Sequence, residues 1–314
     1  MHIVSVTLAA KLHKILKRVD VITHFFAIFI CFTLIILLLL FPGVAHEGAD
    51  LGVHLFMEAL FPYLLPYLIL TSWLIRITGK YTTHPFLLYI KTYVISALGG
   101  FPTGAAAIAQ LAKSQELSQK EAAILLGICH CPSPLFVIGF VSLDLIHDVT
   151  IGWQYLIVLH IFSLILLCIV YFFLPHQKNR QSAHSVTARH AFAHSIKDSV
   201  PTVLVVCATI VFFTTIYAVL LHSMNHLFTL NNNLQIFFAS LLEMTNGLQL
   251  MQQNYQGKLL LLALVTGLTA QSLSIHMQVL VIAKSNAIAF RPYIYMRLLY
   301  IAIVPALYWL IFLW

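Results

Sequence analysis

The chain has 314 residues, 61% hydrophobic and 9% charged, with a formal net charge of +7. Apolar runs long enough to cross a bilayer exclude a soluble globular fold and make it an all-α polytopic membrane protein. The basic excess falls between those runs, where it reports orientation, so no nucleic-acid partner is expected.

Residues 1–20, with Lys11, Lys14, Lys17 and Arg18, read as a basic amphipathic N-terminus that anchors on the inner leaflet. A spanning helix needs about 20 mostly apolar residues. Such segments lie at 21–42, 52–77, 87–112, 121–143, 151–174, 199–222, 232–252, 259–283 and 293–314. The first is long and lacks a small-residue cleavage site, so it is read as a retained helix. Cys31, Cys129, Cys131, Cys168 and Cys207 all fall inside apolar segments, where free cysteine acts as a small hydrophobe, and no disulfide framework is implied.

Loop charges give the topology. The basic N-terminus is cytoplasmic, "HEGAD" (46–50) lies outside, and Arg76, Lys80 and Lys91 lie inside. "DLIHD" (144–148) is outside again, and Lys178, Arg180, Arg189 and Lys197 put the 175–198 loop inside, as Lys284, Arg291 and Arg297 do the end of the ninth segment's predecessor. Two apolar segments lie between Lys91 and Asp144, yet the charges demand an odd number of crossings, so one segment is re-entrant. The stretch "GGFPTG" (99–104) marks its tip. Arms at 88–99 and 104–114 then have about 12 helical positions each, about 18 Å, against a hydrocarbon core about 30 Å thick. Non-helical backbone at that depth survives only buried in protein or lining a wet cavity. The alternative, a proline-kinked spanning helix, breaks the charge parity.

An offset of 143 residues carries Gly104 onto Gly247 in "LLEMTNG" and Ser133 in "CHCPSPLF" onto His276 in "QSLSIHMQ". Each half thus holds a glycine-terminated break followed by a polar interruption in the next span, and the charges turn the second half upside down. The implied organisation is a first transmembrane helix at 21–47, a first repeat at 52–143, a connecting helix and cytoplasmic loop at 144–198, an inverted second repeat at 199–284 and a final helix at 285–314. Inverted repeats with broken helices are a plan of secondary transporters, with the substrate site at the midplane. Four breaks are expected to converge, at 99–104, 129–134, 243–247 and 271–278. Half-helix N-termini there attract anions or polar oxygens.

Glu243 is a carboxylate deep in a span, a costly position that makes function the first hypothesis: a proton carrier in coupled transport. The structural alternative has it accept hydrogen bonds from the amides of its own break. His130 and His276 are each a substrate donor, a proton partner or a helix-to-helix hydrogen bonder. Gly100, Pro102, Thr103, Gly104, Ser133, Thr245, Asn246, Ser272, Ser274 and Gln278 complete the expected substrate contacts, though small polar residues also serve as packing glue. "CHC" (129–131) suggests a soft metal site, but adjacent helical residues point apart and no second ligand cluster appears, so no metal is expected. His54 and Glu58 form an i,i+4 pair nearer the outer end, outside the substrate site.

"GGFPTGAAAIAQL", "PLFVIGFV" (134–141), "LLEMTNG" and "SIHMQVL" (274–280), in this order and spacing, resemble the gate or nucleoside-recognition family, in its sporulation integral membrane protein (YlbJ-like) branch. The resemblance covers roughly residues 50–300 and makes the two repeats gate domains. It implies a bacterial inner-membrane permease of the concentrative-nucleoside-transporter type; sporulating relatives move dipicolinate, an aromatic dicarboxylate. This chain departs where relatives are rich in Asn, Ser and Gly and it has "CHCPS".

The expectation is a secondary permease for a small polar or anionic solute, dipicolinate-like or nucleoside-like, with no cofactor and no catalytic residues. Its partners are that solute and the lipid bilayer, with a second copy or an auxiliary membrane protein as a further candidate. An intramembrane enzyme would have to pair Ser133 with His130 or His276 and lacks G-x-S-x-G and H-E-x-x-H signatures. A non-transporting organiser of the envelope leaves the four breaks unexplained. No P-loop is present, so transport is driven by a gradient or a partner.

Overall fold

The computed structural model describes residues 22–78, 84–174, 188–227 and 230–314, which are helical and contain no strand. The amphipathic stretch at 1–20 and Lys80, Lys178 and Arg180 lie outside the described residues. Among these, five helices are long and apolar enough to cross a membrane: Ile22–Leu40, Val149–Phe173, His190–Leu227, Gly257–Ser285 and Arg291–Leu313. The chain is therefore an all-α polytopic membrane protein.

Helix α1 (Ile22–Leu40) has none of its residues buried against the rest. Phe41 breaks it, and Pro42, at the first helical position where its missing N–H costs nothing, starts α2 (Pro42–His54). A π-helical turn, Leu55–Leu60, joins α2 to α3 (Phe61–Thr78). The acidic stretch at 46–50, expected in a loop, is therefore helical.

The segment expected to be re-entrant is a helical hairpin: α4 (Pro85–Gly99) and α5 (Thr103–Lys113), joined at Gly100–Pro102. Its 15- and 11-residue arms are about 22 and 16 Å long, each short of a full crossing. Helix α6 (Gln119–Ile128) starts with a capping box, Ser118 Oγ accepting from the Glu121 amide at 3.2 Å and the Glu121 carboxylate from the Ser118 amide at 2.8 Å. Tyr89 of α4 donates to the same carboxylate at 2.8 Å, tying hairpin to span. After an interruption the chain resumes as a π-helical segment, Phe136–Ile146, and turns into α7 (Val149–Phe173).

Helix α8 (Ala188–Leu227) has 40 residues, about 60 Å, twice the hydrocarbon thickness. It absorbs Arg189, His190, His194 and Lys197, which hydropathy assigns to a loop; polar composition alone does not end a helix. A second hairpin follows, α9 (Asn232–Leu242) and α10 (Met244–Asn254), with a single non-helical residue, Glu243, between arms of 11 residues each. Then α11 (Gly257–Ala270), an interruption, α12 (Leu273–Ser285) and α13 (Arg291–Tyr308) complete the chain, with a π-helical end at Trp309–Leu313.

Hairpin followed by broken helix thus occurs twice. In both hairpins a glycine on the second arm meets a serine on the first. A Cβ on Gly104 would lie 2.9 Å from Ser96 Cβ, and one on Gly247 would lie 2.5 Å from Ser240 Cα. Such small-residue contacts let helices approach closely in lipid. One apolar cluster takes in Cys131, Met244, Leu268 and Ile275 from beside three of the interruptions, and Phe101 of the first hairpin tip packs against it.

The interruptions are shorter than expected. The second broken helix is open only at Gln271 and Ser272, so Ser274, His276 and Gln278 lie in the first turns of α12. Thr245, Asn246 and Gly247 likewise belong to α10. Arg297, read as a charge at the inner face, is buried in α13, 4% exposed.

Candidate functional site

Gly100 adopts φ 70°, ψ −167°, a conformation open to glycine, and a Cβ there would lie 2.5 Å from the Ser133 amide nitrogen. The first hairpin tip therefore rests directly on the interruption of α6. Ser133 turns inward on itself, its Oγ accepting from the Phe136 amide at 3.2 Å. Thr103 is buried with its hydroxyl lacking a partner among the described residues. Gly104 brings α5 within contact of the Cys129 carbonyl. Pro102 is the residue from which α5 starts.

His130 lies in the interruption, 1% exposed, its ring 5.7 Å from that of Phe101 and 5.4 Å from that of Tyr293. Neither ring nitrogen has a hydrogen-bond partner among the described residues; the Gln271 side chain lies close but off hydrogen-bond geometry, and Arg297 and His276 are near enough to act electrostatically. The last carbonyls of α6 are served from α13. Arg297 donates to the Gly127 oxygen, and the Tyr300 hydroxyl lies 3.3 Å from the Ile128 oxygen and 2.7 Å from Ser163 Oγ. The Arg297 guanidinium sits 4.3 Å over the Tyr300 ring, a cation–π contact that partly compensates its burial.

In the second hairpin Glu243, 5% exposed, caps α10, its carboxylate accepting from the Asn246 amide at 3.0 Å. Asn246 and Thr245 are buried beside it, and the Asn246 Nδ2 has no partner among the described residues. Helix α11 ends in Gln271 at φ 64°, ψ −168°, a region that is essentially glycine's and costs about 1–3 kcal/mol for another residue. Ser272 and Ser274 are each 1% exposed with hydroxyls lacking partners among the described residues, as is Gln271 Nε2. Gln278 is buried one turn further on.

His276 is fully engaged. Its Nε2 lies 3.1 Å from the Ala270 oxygen and its Nδ1 2.8 Å from the Tyr293 hydroxyl. A carbonyl only accepts, so Nε2 carries the proton, and in the neutral ring Nδ1 accepts from Tyr293.

Thr103, His130, Asn246, Gln271, Ser272 and Ser274 thus lie at all four interruptions or in the first turn of the helices that follow them, with unpartnered buried polar atoms. Each such atom costs about 1–3 kcal/mol, and buried polar groups in native proteins are otherwise nearly always satisfied. The set suits a polar solute that can both accept and donate. Among the described residues no group of three or more His, Cys, Asp or Glu side chains is placed to hold a metal, Cys129 and Cys131 included. Sequence reasoning missed Gln271, Tyr293 and Arg297. The signal for the last two was available: Tyr293, Arg297 and Tyr300, at i, i+4 and i+7, share one helical face.

Two cavities flank the first hairpin. One of about 380 Å³ runs from His54 and Glu58 down to Gly99, Phe101 and Ser133. The other, about 1160 Å³, lies between α3, α5, α8 and α12 and holds the Arg76–Asp198 ion pair and Lys113. The expected His54–Glu58 pair is present at 3.1 Å, both side chains exposed.

Among known proteins the chain is similar to the sporulation integral membrane protein YlbJ of Bacillus subtilis (strain 168), 29% identical over 126 residues, which cover 35% of this chain and 30% of that protein. The chain therefore matches less than a third of the relative's length. No family profile matches the chain, and no solved structure does.

Proposed function

We propose that this chain is a secondary permease of the bacterial cell membrane, N-terminus cytoplasmic, that moves a small polar or anionic solute by rocking two inverted repeats against each other. The observation that carries it is that each of the two hairpin tips and two broken helices carries a buried side-chain polar atom with no partner among the described residues. Secondary transporters build midplane sites from such discontinuous helices. The similarity to a sporulation integral membrane protein supports the membrane setting, and the motif resemblance to gate-family permeases suggests a dipicolinate-like dicarboxylate or a nucleoside-like solute as cargo. An enzymatic reading has less support: Ser133 Oγ is taken by the Phe136 amide and His130 makes no hydrogen bond to it.

Glu243 couples the cycle to protons. Ionised, its carboxylate caps α10; protonated, it accepts more weakly and loosens the tip, since charged acceptors make the stronger bonds. Proteoliposome uptake and efflux, with a panel of aromatic dicarboxylates and nucleosides under an imposed pH gradient, test the reading. Glu243→Gln is expected to abolish gradient-driven movement while leaving insertion and fold intact. Normal gradient-driven transport by that variant removes Glu243 from the mechanism, and no movement of any solute by the parent chain removes the permease reading.

A further inference from the structure

The smaller cavity has unusual walls. On one side stands the π-helical turn Leu55–Leu60, on the other the π-helical segment Phe136–Ile146, and residues of both line the space. π-Helix accounts for well under 1% of residues in globular proteins and concentrates at functional sites, because its wider ladder re-aims side chains that an α-helix would stack. Here two such segments face each other across about 380 Å³. The upper rim carries the exposed His54–Glu58 pair, and the lower end is Phe101 and Ser133, the contact between hairpin tip and broken helix.

Gly139 sits on the long π segment and lines this space. A Cβ built on it meets a single atom, Leu135 Cδ1 at 4.0 Å. Gly100, Gly104 and Gly247 are small because a neighbour's backbone or side chain presses on them; nothing presses on Gly139.

We propose that this cavity is the passage from one membrane face to the hairpin tip, kept open by the lack of a side chain at Gly139, and that it takes a small solute with one flat apolar face. The rings of Phe101, Phe136 and Phe140, with centroids 6.0 and 5.4 Å apart in sequence, offer that face a stacking surface, and Ser133 marks the polar end. The inference rests on the permease reading, and its test separates the two.

Gly139→Trp adds its bulk at the cavity wall, where the new Cβ meets no atom closer than 4.0 Å. It is expected to cut uptake of the solute that the parent moves best at least tenfold, at unchanged membrane yield and melting temperature. Gly43→Trp, placed where no atom lies within 4 Å of the new Cβ, is the matched control and leaves uptake unchanged. Independently, Gly139→Cys is introduced after Cys31, Cys168 and Cys207 are replaced by alanine, the buried Cys129 and Cys131 being kept. A membrane-impermeant thiol reagent is expected to modify it from the same face as an Asp50→Cys reporter. Normal uptake by the tryptophan variant, or a cysteine that is unreactive or reacts only from the opposite face, overturns the passage. Should the parent move no solute, labelling still decides whether the cavity opens to water.

Discussion

The two broken helices treat their histidines in opposite ways. His276, one turn into α12, is held at both ring nitrogens, by the Ala270 carbonyl and the Tyr293 hydroxyl. His130 lies in the interruption itself, deeper, with the Phe101 ring tilted against it and the Tyr293 ring edge-on, and is bonded at neither nitrogen. The same residue type in two broken helices thus has one polar capacity spent on the fold and one left over. His130 is buried and His276 half-buried, and their hydrogen-bond satisfaction differs more sharply still. In lipid, where no solvent competes, an unspent donor or acceptor is the more informative sign of a ligand.

The same substitution at both sites sharpens the contrast. His130→Phe keeps the ring contacts and removes only unbonded nitrogens, so uptake in proteoliposomes is expected to fall at least tenfold while the melting temperature holds or rises. A His130→Phe protein that transports normally but melts early reverses the assignment. His276→Phe strands the Ala270 oxygen and leaves the Tyr293 hydroxyl only Gln271 Oε1, 3.4 Å away, and the expected cost is about 2 kcal/mol of stability, read by denaturant titration in detergent, with uptake per folded molecule within threefold of the parent. The smallest effect is expected of Tyr300→Phe, about 1 kcal/mol, with uptake unchanged, because that hydroxyl serves a backbone carbonyl and Ser163. A tenfold uptake loss in Tyr300→Phe would bring α13 into the solute site.

The sequence carried the interruptions because their cause is chemical. Gly100 and Pro102 in an apolar run cannot continue a helix, and Glu243 in another marks a break by its charge. What the sequence overstated was their length. Ser274, His276 and Gln278 are polar but helical, since hydropathy registers side chains while the backbone at Leu273–Ser285 keeps its ladder. The same limit hid the helical state of residues 188–198 within α8. Arg297 was misplaced for a different reason: an arginine six positions after Arg291 looks like part of a basic rim until the packing of α13 against Gly127 turns it inward. The π segments left no mark, as they differ from α-helix by a hydrogen-bond register that no residue type selects. Gln271 was inside the expected break, but its backbone strain has no compositional trace.

Helix α13 reaches both interruptions at once. Through Arg297 and Tyr300 it grips the frayed end of α6, and through Tyr293 it grips the ring that closes the end of α11. It works as a strut between two hinges: neither joint can swing alone without tearing bonds that lipid does not replace. A shift at either break is therefore expected to pull on the other through that one helix.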